Sequence, residues 1–216
     1  ANPRHLDAES LRDSMLAIAG RLDFQRPLGS QIGELGEGRP GSESRLDDSV
    51  TYRSVYLPIV RDEILDSLEV FDFPDANQTS AQRQQSIVPT QALYLMNNEF
   101  VTTQAMAMAT RLESEFSSSA RQIEEAFLMV YGRPATGSEL AASEDFFATF
   151  DWEGSLTPSA DGGASSGGRK GKGKAKGGGK GRDGVGRAAP LAKPKNEALA
   201  VFCQTLMASA RFRILN

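Results

Sequence analysis

The feature that most limits the fold of this chain is a long tract almost without large apolar side chains. Residues 153–190 are dominated by Gly, Ser, Ala and Lys. Such a tract cannot bury enough apolar surface to offset the conformational entropy lost on ordering, so we predict a disordered low-complexity insert. After it, apolar residues recur at helical spacing at Leu199, Phe202, Cys203 and Leu206. We therefore expect the tail to pack on the body, so that the insert interrupts one domain spanning residues 1–216.

Helical patterning dominates the remaining sequence. The clearest helix is predicted over residues 121–131, and Gly132 is typical of the residue that ends a helix. Thr136 and Glu139 match a capping box, which predicts that another helix begins there. Further helices are predicted after the N-cap Asp7, over residues 61–70, from Pro89 or Thr90 with a break at Asn97 and Asn98, and after the N-cap Asn196. The fold class is thus mainly α, an irregular helical bundle.

Two segments do not follow the helical pattern. Residues 23–50 are polar and rich in Gly, which predicts a mobile loop. Residues 51–60, with the sequence TYRSVYLPIV, are rich in β-branched and aromatic residues and favour an extended conformation. Pro58 argues against a central strand, and no second convincing strand exists to pair with the segment. An extended arm is therefore expected.

The charge of the chain is distributed unevenly. Residues 169–195 carry a net charge of +9, although the whole chain carries −4. A solvated spacer is the first interpretation of this basic tract, and contact of residues 169–187 with a polyanion is the alternative. No aromatic residue lies between Arg169 and Arg187, so stacking on single-stranded nucleic acid is not supported.

Several classes of site lack the residues they need. Cys203 is the only cysteine, so no disulfide within the chain and no zinc or haem site based on cysteine is expected, and Cys203 itself is predicted to be a core residue. His5 is the only histidine and lies close to the first residue, which argues against a catalytic site built on histidine. No apolar run approaches the roughly 20 residues that cross a bilayer. We predict no cofactor in this chain and leave open whether it is an enzyme.

The acidic turn over residues 71–77 is the first candidate for a polar site. Asp72, Asp75 and Asn77 could supply oxygen ligands to Ca²⁺, or could simply form a structural turn. Arg83 is expected to pair with Asp72 or Asp75. On the following helix, Gln91 and Asn97 are expected either to bind backbone groups of the preceding loop or to line a ligand cleft.

Four stretches of the sequence resemble one known family. They are residues 53–101 (RSVYLPIVRDEILDSLEVFDFPDANQTSAQRQQSIVPTQALYLMNNEFV), the opening LDAESLRDSMLAIAGRLD, the stretch AFLMVYGRPATGSEL and the closing ALAVFCQTLMASARFRIL. The chain is similar to the planctomycete PSD-one family, the C-terminal domain of unknown function of large secreted planctomycete proteins that accompanies cytochrome-c-like domains. The family's characteristic polar residues correspond to Arg53, Asp72, Asp75, Arg83, Gln91 and Asn97.

The resemblance implies a helical module whose partners are upstream domains of the same polypeptide, one of which can carry haem. It also implies export to the periplasm or the cell surface, although the chain itself shows no signal peptide. Three functions stay open at this point. The first is a docking module, the second is an enzyme domain, glycan-related in one version, with a polar cleft around Asp72, Arg83 and Gln91, and the third is polyanion binding through the basic insert.

Overall fold

The computed structural model describes residues 4–30, 32, 46, 48–60, 64–75, 77, 79, 83, 86–150 and 197–215. The predicted insert over residues 153–190 and most of the predicted mobile loop lie outside these residues. Seven helices and two short strands are described, which confirms the mainly α class. In chain order they are β1 (Arg4–His5), α1 (Ala8–Ile18), α2 (Asp66–Glu69), α3 (Pro89–Asn97), α4 (Glu99–Glu115), α5 (Ser119–Tyr131), α6 (Gly137–Thr149), α7 (Glu197–Ala208) and β2 (Ile214–Leu215), with 3-10 turns over Ser54–Tyr56 and Ala210–Arg213.

Local capping bonds set several helix boundaries. The Asp7 carboxylate accepts a hydrogen bond from the Ser10 amide at 2.9 Å, and α1 begins at the next residue. Asn98 separates α3 from α4 because it adopts an extended backbone conformation and its side chain caps α4. These contacts satisfy amides that lack an intrahelical partner, and they confirm the cap predicted at Asp7 and the break predicted at Asn97 and Asn98.

The turn between α5 and α6 also has its predicted form. Gly132 ends α5 with φ 66°, and Thr136 and Glu139 form the capping box of α6. Arg133 donates to both carboxylate oxygens of Glu139, at 2.8 and 2.6 Å. The hydrogen bonds from Arg133 and from the Thr136 backbone lower the pKa of Glu139 to about 2. The carboxylate of the box is therefore ionised at neutral pH.

The main hydrophobic core lies between α4 and α7, with α1, α3 and α5 packed around them. Met108 and Leu112 of α4 are fully buried, as are Cys203 and Met207 of α7. The Gln204 side chain donates to the Met96 carbonyl at 2.8 Å and so joins α7 to α3. The predicted return of the tail onto the body and the burial of Cys203 are both confirmed.

A smaller hydrophobic cluster holds the arm against α1. It consists of Ala8, Leu46, Val50, Tyr52, Leu57, Leu65 and Leu68. Tyr52 also forms a parallel bridge with Asp23, and a 3-10 turn over Ser54–Tyr56 interrupts the extended course predicted for residues 51–60. None of the helices in the described part of the chain is long and apolar enough to cross a membrane.

The helix predicted over residues 61–70 is shorter than expected. Only Asp66–Glu69 form α2, and residues 61–63 lie outside the described part of the chain. Leu65 has φ −60° and ψ 136°, an extended conformation, and its side chain is buried in the smaller cluster. Because this cluster uses Leu65 in an extended conformation, the helix begins after it.

Candidate functional site

Pairing of the two ends of the described chain builds the framework of the candidate site. Strands β1 and β2 are antiparallel, and His5 lies opposite Ile214. The Leu6 amide donates to the Arg213 carbonyl at 2.8 Å. These bonds bring His5 and Arg213 together beside the beginning of α1 and the first turn of α3.

A cleft of about 50 Å³ opens at this junction, and we call it the end cleft. Its apolar wall is formed by Leu6, Leu11 and Phe71. Besides His5 and Arg213, the polar residues that line it are Asp7, Asp72, Arg83, Ser86 and Gln91. Three of the six residues predicted as a polar cluster, namely Asp72, Arg83 and Gln91, therefore meet in one cleft.

Asp72 holds the loop that leads into α3. Its φ of 59° lies in the left-handed region, which Asp tolerates better than most residues because its short polar side chain can bond locally. The carboxylate accepts from the Ser86 amide at 2.6 Å and from the Ser86 hydroxyl at 2.8 Å. Asp72 therefore has two donors within the protein and closes the segment between residues 72 and 86.

Arg83 does not pair with Asp72 or Asp75, so that prediction was wrong. Its two terminal nitrogens donate to the two carboxylate oxygens of Glu9, each at 2.7 Å, and the Asp7 carboxylate lies 3.8 Å away. Glu9 is 74 positions earlier in the chain, so only the tertiary fold brings the partners together. The hydrogen bond to Glu9 raises the pKa of Arg83, which stays charged.

Asp7 faces Arg83 from the N-terminus of α1. Burial acts to raise the pKa of Asp7, but the hydrogen bonds from Ser10 and the charge of Arg83 outweigh it, so the pKa lies below its ordinary value. The carboxylate therefore remains ionised, serves as the helix cap and forms one charged edge of the end cleft.

Gln91 binds a backbone group of the preceding loop, as predicted, and it also lines the end cleft. The side chain is buried, and its amide nitrogen donates to the Ser86 carbonyl at 3.2 Å. Its amide oxygen accepts from Nη1 of Arg213 at 3.2 Å. Gln91 thus ties the preceding loop to the C-terminal segment across the cleft.

Residues 1–147 match the family PSD1, described as Protein of unknown function (DUF1553). The chain belongs to the PSD1 family. The match ends before α7, so the resemblance noted for the closing segment stays a prediction. No curated protein and no solved structure matches the chain. Since the family description names no activity, the function of this PSD1 chain is argued from its own residues.

The sequence analysis missed Arg213, and it set His5 aside. The Nε of Arg213 is buried and has no hydrogen-bond partner, and no carboxylate in the described ranges forms an ion pair with this guanidinium. His5, the only histidine of this PSD1 chain, lies beside it in the same cleft. Only the pairing of β1 with β2 places these residues together, and strands of two residues have no recognisable sequence pattern.

The other three predicted residues lie away from the end cleft. Arg53 is half exposed, with its Nε 3.8 Å from the Asp13 carboxylate. The Asp75 carboxylate accepts from the Asn77 amide at 2.8 Å in an exposed turn, and the Asn97 side chain donates to the Leu93 carbonyl at 3.0 Å within α3. The six residues therefore do not form one site.

A calcium site on the acidic turn finds no support in the part of the PSD1 chain that the structure describes. There, no three His, Cys, Asp or Glu side chains are placed to hold a metal ion. Asp72 is bonded to Ser86 and Asp75 to the Asn77 amide. Their observed bonds are those of a structural turn. The basic tract over residues 169–187 lies outside the described residues, and polyanion contact through it stays a prediction.

Helix α3 carries a second surface of interest, which we call the α3 outer face. It consists of Leu93 and Met96, with Ile87 and Val88 immediately before the helix. Leu93, Met96 and Ile87 are 58%, 64% and 74% exposed, whereas Gln91, Tyr94 and Leu95 on the inner side are buried. Helix α3 of this chain thus has apolar side chains both in the core and on the surface.

Proposed function

We propose that this PSD1 chain is a non-catalytic helical module that docks against other domains of its own polypeptide. The observation that carries the proposal is the α3 outer face, where Leu93 and Met96 are exposed three positions apart on one side of the helix. Contiguous exposed apolar side chains are characteristic of surfaces that another protein surface covers.

The composition of α3 supports the same conclusion. Its sequence, PTQALYLMN, contains no charged residue. By contrast, the surface of α5 carries Arg121 paired with Glu124 and Glu125, as expected of a helix face in water. A helix that is apolar on both sides is suited to burial on both sides. The main core covers the inner side of α3, so we assign the outer side to a docking partner.

The resemblance to secreted planctomycete proteins suggests which partner this is. We propose that the chain is the C-terminal module of a larger exported protein in the periplasm or at the cell surface. The partner is then the upstream region of the same polypeptide, including a domain that carries haem. Docking would hold the upstream domains in a defined position while leaving any chemistry to them.

The test is to mix this chain with the upstream region produced as a separate protein and to measure their affinity by calorimetry. We expect saturable association that the double variant Leu93→Glu, Met96→Glu weakens at least about tenfold, which corresponds to about 1.4 kcal/mol of binding free energy. The matched control is Leu128→Glu, which adds a charge at an exposed apolar residue on α5. It should leave the affinity unchanged.

Two outcomes would remove the docking proposal. One is the absence of association between the wild-type proteins. The other is equal affinity of the double variant and the control, with the helical circular dichroism of both variants intact.

An enzyme domain is the second candidate, because Asp72, Arg83 and Gln91 line one cleft together with His5. In this reading, including its glycan-related version, His5 is the residue placed to transfer a proton, since Asp72 is bonded to Ser86. His5→Gln and Arg83→Gln should then abolish turnover by the parent protein. Unchanged turnover by both folded variants would exclude the enzyme reading.

A further inference from the structure

We infer that the end cleft is a binding site for a carboxylate group and that Arg213 is the residue that holds it. The end cleft is a different surface from the α3 outer face, so binding there does not depend on docking. The bonding of one guanidinium group points to this site.

One edge of the Arg213 guanidinium is free. Gln91 accepts from Nη1, while Nε is buried without an acceptor and no bond joins Nη2 to any described residue. Nε–H and an Nη2–H point in parallel from the same edge of the planar group. That pair of parallel donors is the arrangement that binds the two oxygens of a carboxylate.

A buried N–H without an acceptor is unfavourable, and arginine cannot relieve it by losing its proton. The side chain that carries this Nε lines the end cleft, so an acceptor bound in the cleft lies beside it. An incoming carboxylate would supply the acceptor that the protein itself does not. The free energy of binding therefore includes removal of an unfavourable feature of the unliganded cleft.

The acidic residues around the cleft are already bonded to other groups. Asp72 accepts from Ser86, Glu9 accepts from Arg83, and Asp7 caps α1. Two arginines line the cleft, Arg83 and Arg213. Arg83 pairs with Glu9, whereas Arg213 has no carboxylate partner among the described residues. His5 lines the same cleft as Arg213. Its imidazole forms no hydrogen bond with the described residues, so it can offer a further ring N–H to a ligand.

The charge of the cleft favours a monoanion over a dianion. A cleft of about 50 Å³ has room for a carboxylate group. Asp7 and Asp72 line the same cleft and would repel a dianion such as phosphate. A carboxylate can belong to a free organic acid or to an acidic side chain of a polypeptide, and the two sources need separate probes.

The test is a titration of the 216-residue chain followed by NMR at the Nε–Hε resonance of Arg213. The probes are acetate for a free acid and acetyl-glutamyl-amide for a polypeptide side chain, with inorganic phosphate and chloride at matched ionic strength. We expect a saturable shift with both carboxylates and a weaker, unsaturated response to phosphate and chloride. The tighter of the two carboxylates identifies the source of the group.

The variant Arg213→Lys keeps the charge and loses the parallel pair of donors, so it should weaken acetate binding about tenfold. Because it removes the reporter resonance, binding to this variant is followed at the His5 ring instead. Arg211→Lys, at an exposed neighbour that does not line the cleft, is the matched control and should bind as the wild type does.

The absence of a saturable acetate shift in the wild type would overturn the inference, and this measurement needs no variant to fold. An equal response to chloride, or unchanged affinity in Arg213→Lys, would overturn it as well. Leu93→Glu, Met96→Glu should bind acetate normally, so failure of docking and failure of the carboxylate site give different results.

Discussion

The buried Arg12 side chain joins α1 to the arm through five hydrogen bonds. Its side chain, 1% exposed, donates to the Val50 carbonyl at 2.6 Å and to the Asp48 carboxylate at 3.0 Å. It also reaches the Ser54 hydroxyl and the Tyr52 carbonyl, each at 3.3 Å. One guanidinium on α1 thus binds three backbone carbonyls of the arm, those of Asp48, Val50 and Tyr52.

Replacing this guanidinium should destabilise the fold strongly. We expect Arg12→Met to lower the free energy of unfolding by about 3 kcal/mol. The change removes the cation paired with Asp48, whose carboxylate keeps the hydroxyl donor from Ser67, and it removes the donor to the buried Val50 carbonyl. Urea unfolding followed by circular dichroism measures the change. Arg121→Met removes two exposed ion pairs on α5 and should cost less than about 1 kcal/mol. Equal losses in the two variants would contradict a structural role for the buried network.

At the scale of elements, the helix boundaries depend on short-range bonds and on glycine geometry. α5 ends at Gly132 because its left-handed φ stops the helix, and α6 begins at the Thr136 and Glu139 box. A Cβ added at Gly132 or at Gly137, the first residue of α6, would meet no atom within 4 Å. The two glycines differ in φ, which is positive only at Gly132.

This difference predicts effects of opposite sign. Gly132→Ala should destabilise the protein by about 1 kcal/mol, since alanine is strained at positive φ. Gly137→Ala should be neutral or stabilise it by up to about 1 kcal/mol, since alanine restricts the unfolded chain and fits a helical φ. Thermal unfolding of both variants measures the signs. Destabilisation by both would mean that packing, not backbone conformation, limits residue choice at this turn.

At the scale of the whole molecule, the reactivity of Cys203 measures how often the packing of α7 against the rest of the core opens. Its side chain is fully buried, and burial raises the pKa of the thiol well above its ordinary value. Both effects suppress the reactive thiolate. Modification by a soluble disulfide reagent therefore requires the core to open.

We expect the labelling rate of Cys203 to follow the stability of the distant arm. If the arm and the main core unfold together, Arg12→Met should accelerate labelling roughly hundredfold, at a factor of ten per 1.4 kcal/mol. Arg121→Met should leave the rate nearly unchanged. Absorbance of the released reagent measures the rate. Unaltered labelling in Arg12→Met, despite lower overall stability, would show that the arm and the core are separate cooperative units.

Sequence patterns by themselves determined the mainly helical class, the caps at Asp7 and Thr136, the stop at Gly132 and the burial of Cys203. Each of these depends on residues within a few positions of one another, or on the helical repeat of apolar side chains. α2 was predicted too long because Leu65 is buried in an extended conformation by residues far along the chain. Helix propensity, which depends on neighbouring residues only, does not predict a contact between distant segments.

The tertiary structure alone decided what surrounds the end cleft. Glu9 became the partner of Arg83, and pairing of β1 with β2 brought His5 beside Arg213. Asp72 and Gln91 were predicted as site residues, yet their bonds to Ser86 and Arg213 follow from loop closure and from the return of the C-terminal segment. The physical reason is that spacing along a chain specifies which side chains share a helix face, whereas the meeting of distant segments depends on how the whole core packs.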